Sequence, residues 1–368
     1  MMEPTERHLL DAVLAAPDDD GPRLVYADWL NARGDPRGEL IVLQCALERD
    51  DLTAPEHVRV RSNQSRLFKA HLDLWERPLR ALRDGRYTFR RGFAHHARLT
   101  GAAPLALEAL HEVAPLLRHF TIAADRLAEL MASDWVEGLQ LENGLVDLQS
   151  VVRSLRLPRL RRLRLPAGLW EPADVEQLAA IDRPLEYLSL DFDQRSGAAH
   201  HGALKLGLSR RARLRALRIE GARGLGSVTV SGLEELELVR CEMTQADVLA
   251  MAPSLVKLEI TESDLRRGRA RFDPVAFLEV APRLTSLRIE GAALDDAGLA
   301  RLVSSPQASR LKHLHLARNA LTDVGARALL GTEFLFGLRS LNLDVSSLTT
   351  AAKKRVRARF PDASVDAR

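Results

Sequence analysis

Leu311-Lys312-His313-Leu314-His315-Leu316-Ala317-Arg318-Asn319-Ala320-Leu321 is the stretch that decides the fold, and it has the spacing L-x-x-L-x-L-x-x-N-x-L. Leu314 and Leu316 are two residues apart, so in a strand they point to one side while His313 and His315 point to the other. Asn319 follows where the chain must turn, and a buried amide there can satisfy backbone groups of the neighbouring turn. One such unit cannot bury its leucines alone, so it needs copies on both sides.

The copies are present. The core of the pattern recurs ten times, and its middle residues are Phe120, Leu139, Leu163, Leu188, Leu217, Leu236, Leu258, Leu287, Leu314 and Leu341. The steps between them are 19 to 29 residues, in or near the range of about 20 to 29 for leucine-rich repeats. The sequence therefore predicts an α/β leucine-rich-repeat solenoid, with parallel strands on the concave face and helices or turns on the convex face.

A small helical module precedes the repeats. Leu24-Val25-Tyr26-Ala27-Asp28-Trp29-Leu30 has the pattern of an amphipathic helix, and we expect all of its apolar residues to point inward. Together with Arg33-Gly34-Asp35-Pro36-Arg37-Gly38-Glu39 it resembles the bacterial repeat-companion domain, over about residues 3–49. The resemblance implies a bacterial source and a small all-α module, and it brings no catalytic residue with it. Gly34 and Gly38 are interpreted as backbone requirements.

We expect four segments: 1–50 helical repeat-companion module, 51–85 long helix capping the first repeat, 86–348 leucine-rich repeats and 349–368 C-terminal capping helix. Pro78 is predicted to end the long helix, since proline disrupts a helix interior.

Local patterns refine these segments. Phe89-Arg90-Arg91-Gly92-Phe93 is expected to lead into an edge strand that starts the solenoid. Thr350 is expected to cap the last helix. The repeat units over 284–337 resemble the ribonuclease-inhibitor-like class of leucine-rich repeats, which implies full helices on the convex side.

Composition narrows the class of protein. The net charge of +3 combines −7 over residues 1–51, from twelve acids and five arginines, with +10 over the remainder. No apolar run approaches the roughly 18 residues of a membrane span, and the acids in the first sixteen residues are unlike a signal peptide. Cys45 and Cys241 lie in different modules, which indicates reduced thiols and a cytoplasmic location.

The candidate interaction face consists of side chains that alternate with the buried leucines. Concave solenoid faces are the usual binding surfaces of such folds. The candidate residues are Glu142, Arg164, Tyr187, Asp191, Arg218, Glu220, Glu237, Glu259, Arg288, Glu290, His313, His315 and Asp344. Five of the nine residues that follow the last core position are acids, and carboxylates repel phosphate. The pattern favours another protein, with a basic or mixed-charge surface, over nucleic acid or a membrane. The alternative is that these charges pair with one another.

No serine, cysteine or threonine lies in a nucleophile motif, so we predict a non-catalytic protein without cofactor or metal. His313 and His315 lack a third ligand. Two other functions stay open: a nucleic-acid-associated regulator using convex arginines, and an enzyme with a site between the N-terminal module and the first repeats. The first uses Arg210, Arg211, Arg213, Arg266, Arg267, Arg269 and Arg271. The loop over 193–213 is long enough to carry function or to be a tolerated insertion.

Overall fold

The computed structural model describes residues 3–49, 52, 54–130, 133–142, 157–168, 185–192, 213–222, 230, 232–263, 273–343, 347–361 and 364–366. The chain divides into two compact units. The first comprises Met1–Gly144 with Arg156–Arg159, and the second comprises Leu145–Leu155 with Leu160–Arg368. The Asp344 side chain and most of the 193–213 loop lie outside the described residues.

The first unit begins with four helices, α1 Pro4–Ala15, α2 Asp20–Asn31, α3 Arg37–Leu47 and α4 Ala54–Leu82. The buried face of α2 carries Arg23, Tyr26 and Leu30, at helical spacing. Leu24 and Val25 were predicted to point inward, but they are 39% and 57% exposed. They fall on the opposite arc of the helix, and the Arg23 guanidinium, which lies 5.2 Å from the centre of the Phe93 ring, occupies the inner face instead.

The two motif glycines have distinct backbone roles. Gly34 has a φ of +72° in the turn between α2 and α3, a left-handed conformation that glycine adopts without strain. Gly38 stands where α3 approaches α2, because a Cβ built there would lie 2.6 Å from the Ala27 carbonyl oxygen. Both glycines therefore permit the tight turn and the close packing of the two helices.

Helix α4 does not end at Pro78, contrary to the sequence prediction, but continues to Leu82. Proline removes one helical hydrogen bond, yet tertiary contacts hold the last turn in place. Leu79 is 2% exposed, and the Tyr87 hydroxyl donates to the Arg83 carbonyl at 2.5 Å. The turn that follows the proline is thus fixed by the strand that packs on it.

The segment from Phe89 to Phe93 is a hairpin turn rather than a lead-in to a single edge strand. Strand β1 Gly85–Arg90 pairs antiparallel with β2 Phe93–Leu99, and the turn residues Arg91 and Gly92 both have positive φ, as tight hairpins require. The unit continues with α5 Leu107–Val113, β3 His119–Ala123, α6 Leu127–Leu130 and β4 Gly138–Glu142. Strands β2, β3 and β4 are parallel.

The second unit is a stack of parallel strands in chain order. They are β5 Arg162–Gly168, β6 Tyr187–Phe192, β7 Ala216–Glu220, β8 Glu235–Val239, β9 Lys257–Thr261, β10 Ser286–Glu290, β11 His313–His315, β12 Ser340–Asn342 and β13 Ser364–Asp366. Across both units, all ten leucine or phenylalanine residues at the middle repeat position are 3% exposed or less. This confirms the predicted α/β leucine-rich-repeat solenoid.

Helices follow the later strands: α7 Gln245–Met251, α8 Val275–Val280, α9 Asp296–Ser304, α10 Asp323–Gly331 and α11 Thr350–Arg359. The cap of α11 is Thr349, not the predicted Thr350, and its hydroxyl accepts from the Ala352 amide at 3.2 Å. The Thr349 hydroxyl also donates to the Asp323 carboxylate of α10 at 2.8 Å, so consecutive helices are linked at their first turns. Strand β13 follows α11, although only a helix was predicted there.

The predicted role of Asn319 is confirmed in detail. Its side-chain nitrogen donates to the carbonyls of Ile289 and Leu316, at 2.6 and 3.0 Å. Its side-chain oxygen accepts from the amides of Ala292 and Leu294, both at 3.2 Å. The amide thereby joins the turn of one repeat to the turn of the previous one. Among the described helices, none is both long and apolar enough to cross a membrane.

Candidate functional site

The register of the strands places the predicted concave-face residues in straight columns. Here the concave face means the side chains of β5–β12 that alternate with the buried leucines. Pairing of β7 to β10 aligns Arg218, Glu237, Glu259 and Arg288 across four neighbouring strands. Because neighbouring strands lie about 4.8 Å apart, Arg218 reaches Glu237 and Arg288 reaches Glu259.

Arg218 is the centre of an ion-pair cluster. Its guanidinium contacts Asp191 at 2.9 Å, Glu220 at 2.5 Å and Glu237 at 3.1 Å. The Arg218 side chain is 13% exposed, and those of Asp191 and Glu220 are both 16% exposed. Three carboxylates around one largely buried cation form a fixed framework, and the self-pairing alternative holds for Arg218 and Glu220.

A second cluster surrounds Arg288. Its guanidinium lies 3.4 Å from Glu259 and 3.1 Å from Glu290, while the Lys257 amine contacts Glu259 at 2.9 Å. Here too the predicted pairing of Arg288 with Glu290 is present. Glu259 and Glu290, at 19% and 16% exposed, are therefore not free carboxylates.

Two arginines from the turns also reach this face, and sequence reasoning missed them. Arg240 pairs with Glu220, and Arg318 lies 3.6 Å from Glu290. Both residues follow the end of a strand and have positive φ, 50° and 55°. The sequence could have indicated them, because Arg240 and Arg318 each lie two residues after the last core leucine of their repeat.

His313 and His315 share one hydroxyl. Ser340 Oγ lies 2.8 Å from His313 Nδ1 and 3.4 Å from His315 Nε2. Burial, assisted by the positive charges of Arg288 and His313, lowers the pKa of His315. Within the described ranges, no group of three or more His, Cys, Asp or Glu side chains is arranged to hold a metal ion.

The remaining predicted residues are distributed as follows. Arg164 lies 3.7 Å from Asp191, and the Arg162 guanidinium lies 4.6 Å from the centre of the Tyr187 ring. Glu142 is in the other unit, where Arg98 donates to it at 2.8 Å. Asp344 is outside the described residues, as are Arg210, Arg211, Arg266, Arg267, Arg269 and Arg271, the convex arginines of the nucleic-acid alternative.

Glu235 is the functional candidate that the prediction left out. It shares a column with Tyr187 and Lys257, is exposed, and has no ion pair with any described residue. The alternation of β8 places it on the concave face just as it places Glu237. On β8, Glu237 is paired with Arg218, whereas Glu235 is not paired with any described arginine.

The first unit contains a cleft of about 510 Å³ among its helices and first strands. Its lining includes Arg33, Gly34, Asp35, Pro36 and Arg37, the turn that carries the repeat-companion resemblance. Burial raises the pKa of its phenol, Tyr26, to about 12. The lining also includes the carboxyl groups of Glu6 and Asp35.

A comparison with known protein families agrees with the repeat pattern. A family model described as leucine rich repeat matches residues 309–330, the range that contains Leu314 and Asn319. No curated protein matches the chain. Similar solved structures include the leucine-rich repeat-containing protein LegL7 of Legionella pneumophila, with 17% identity and a TM-score of 0.41, over 74% of this chain and 89% of that one. A leucine-rich-repeat protein of Leptospira interrogans has 15% identity and a TM-score of 0.27, over 73% and 93% of the two chains.

Proposed function

We propose that this leucine-rich-repeat protein is a non-catalytic interaction protein that binds another protein on its concave face. The observation that carries the proposal is the aligned array of side chains on β6 to β10, held by the Arg218 and Arg288 clusters. Ion pairs with little exposure keep the array rigid, so a partner would meet side chains whose positions are already fixed. Preorganised surfaces lose less entropy when they bind.

The charges that remain exposed define the partner. The most exposed charges on β8 and β9 are the carboxylates of Glu235 and Glu237 and the amine of Lys257, with Glu237 and Lys257 at 39% and 42% exposed. Arg162 and Arg164 lie on β5, beside Tyr187 and Asp191 on β6. A face with a negative middle and a positive end is complementary to a protein surface of mixed charge, with lysine or arginine opposite β8.

The test uses exposed residues rather than framework residues. Charge reversal at Glu220 or Glu290 would disturb the arginine clusters and confuse lost binding with lost stability. Glu235→Lys and Tyr187→Ala instead change two side chains of one column that belong to neither arginine cluster. Affinity capture from the native host, quantified by mass spectrometry, should lose at least one protein with both variants. Glu279→Lys, on the exposed surface of α8, is the matched control and should retain it.

An unchanged set of captured proteins with both concave-face variants would contradict the proposal. Loss with the α8 control as well would assign the contact to general charge attraction rather than to this face.

Nucleic acid fits the concave face less well, because the available carboxylates repel phosphate. Binding to random duplex DNA at low salt measures this directly. Strong binding that falls steeply with added salt would favour the regulator alternative instead.

A further inference from the structure

The cleft in the first unit combines an apolar body with one charged end. Its aromatic and aliphatic walls come from α1, α2, α4, the β1–β2 hairpin and the segment after α5. The apolar lining residues used here are Leu10, Trp75, Leu79, Phe89, Phe93 and Leu116. A volume of about 510 Å³ lies within the range of about 300 to 1,000 Å³ for small-molecule sites.

Arg37 is the cation at the polar end. Its Nη2 donates to the Tyr26 hydroxyl at 3.4 Å, and the same hydroxyl donates to Glu6 Oε1 at 3.1 Å. The guanidinium lies 5.9 and 5.8 Å from the centres of the Tyr26 and Phe93 rings. These contacts orient the guanidinium but use little of its capacity, because arginine carries five N–H donors.

Arg37 differs from its neighbour Arg33 in one respect. Arg33 is paired with Glu3 at 3.0 Å and stacks on Trp29, with 3.8 Å from guanidinium to ring centre. Arg37 has no carboxylate within ion-pair distance among the described residues. The adjacent Asp35 accepts instead from the Arg37 backbone amide, at 2.8 Å. Of the two guanidinium groups that line this cleft, Arg33 is therefore paired with a carboxylate and Arg37 is not.

We propose that this cleft binds a ligand with an apolar body and a carboxylate, and that Arg37 pairs with the carboxylate. A planar guanidinium matches a carboxylate with two parallel hydrogen bonds. Glu6 and Asp35, which also line the cleft, disfavour a doubly charged phosphate more than a singly charged carboxylate, and Arg37 disfavours a cation. The apolar body packs against Trp75, Phe89 and Phe93. None of these residues belongs to the concave face. The proposal therefore gives a role to the turn over residues 33–37, which protein binding by the repeats does not involve.

Such a carboxylate has two chemical sources, a free aliphatic acid and the C-terminus of a peptide. Two probes represent them, decanoate and the dipeptide N-acetyl-Leu-Phe with a free carboxyl group. The neutral match for the dipeptide is its C-terminal amide, which keeps the apolar body and removes the charge. Binding of each to the full chain is measured by the fluorescence of Trp75 and its neighbours and by isothermal titration.

At least one acid should bind at concentrations of about 1 mM or below. If the dipeptide is that acid, its amide should bind about tenfold more weakly. Arg37→Gln should weaken acid binding by a similar factor, while Arg59→Gln, on the exposed surface of α4 and outside the lining of the cleft, should leave it unchanged. Binding by decanoate alone identifies a free acid, and binding by the dipeptide alone identifies a peptide C-terminus.

The proposal fails if neither acid binds, or if the acid and amide forms of the dipeptide bind equally. It also fails if Arg37→Gln, shown by circular dichroism to be folded, binds as the wild type does. If Arg37→Gln does not fold, the test is made on the wild-type protein. Its affinity for the dipeptide is compared with that for the dipeptide amide, and its affinity for decanoate with that for decanol, which has the same chain length. Loss of acid binding leaves the concave-face proposal untouched, because that proposal is tested by Glu235→Lys.

Discussion

At the scale of single residues, the repeat is joined by side chains in one position of the turn. Asn319, Ser263 and Cys241 all lie three residues beyond the last core residue of their strand. Asn319 bonds within its own turn and to the turn of the previous repeat. Ser263 accepts from the Cys241 amide at 3.0 Å, and the Cys241 thiol contacts two carbonyls at 3.4 Å. The strength of these bonds falls from amide to hydroxyl to thiol.

That order predicts unequal costs of truncation. Asn319→Ala leaves two carbonyls and two amides of buried turns without partners, so we expect it to lower the free energy of unfolding by about 2–4 kcal/mol. Cys241→Ala at the equivalent position removes only weak contacts and should cost about 1 kcal/mol. Urea denaturation of both variants measures the difference, and equal costs would show that the amide does not join the turns.

At the scale of elements, neighbouring strands are joined by charge as well as by backbone pairing. Arg218 on β7 bridges Asp191 on β6 and Glu237 on β8. The two buried leucine or isoleucine residues of each of these strands cover one side of the sheet, and Arg218 joins the three strands on the other side. A neighbouring element also stabilises helix α4, because contacts from β1 hold the turn that follows Pro78.

Removal of Arg218 should therefore be costly, in contrast to removal of an exposed arginine. Arg218→Ala leaves three carboxylates close together, two of which are only 16% exposed, and we expect a loss of about 3–5 kcal/mol in the free energy of unfolding. Arg161→Ala, which removes an exposed pair with Glu186 at 3.1 Å, should cost about 0–1 kcal/mol. Denaturant midpoints at low and high salt test this, and a small cost at Arg218 would mean that the carboxylates are already separated by solvent.

At the scale of the whole molecule, both units contain histidines whose charged form is disfavoured. Burial lowers the pKa of His96, which lies 2.7 Å from the Thr121 hydroxyl, and burial likewise lowers the pKa of His111 and His315. The unfolded chain binds these protons at an ordinary pKa of 6.5, while the folded chain binds them only at lower pH. Acidification through this range therefore favours the unfolded state.

We accordingly expect the denaturation midpoint to fall as the pH is lowered from about 7.5 towards 5.5, around the ordinary histidine pKa. His315→Gln should make the decrease smaller, because one of the linked protons is removed. Circular dichroism during urea titration at several pH values provides the measurement. A midpoint that rises on acidification would contradict the directions of these pKa shifts.

The sequence alone determined the repeat. Leucines two apart, repeated at steps of 19 to 29 residues, can be buried together only if the strands lie side by side, so the parallel stack, the columns of the concave face and the place of Asn319 could all be predicted. The functional interpretation of those columns, and the boundaries of the four segments, stay predictions.

Only the tertiary structure decided which charges of those columns are available. An arginine can pair with several carboxylates, and its choice depends on side-chain reach across neighbouring strands, which spacing along the chain does not contain. Thus Glu220 and Glu290 are held by arginines, including two from turns, while Glu235 is exposed. The cleft at Arg37 depends on the same physics, because its walls come from segments up to about a hundred residues apart that meet only when the first unit is folded.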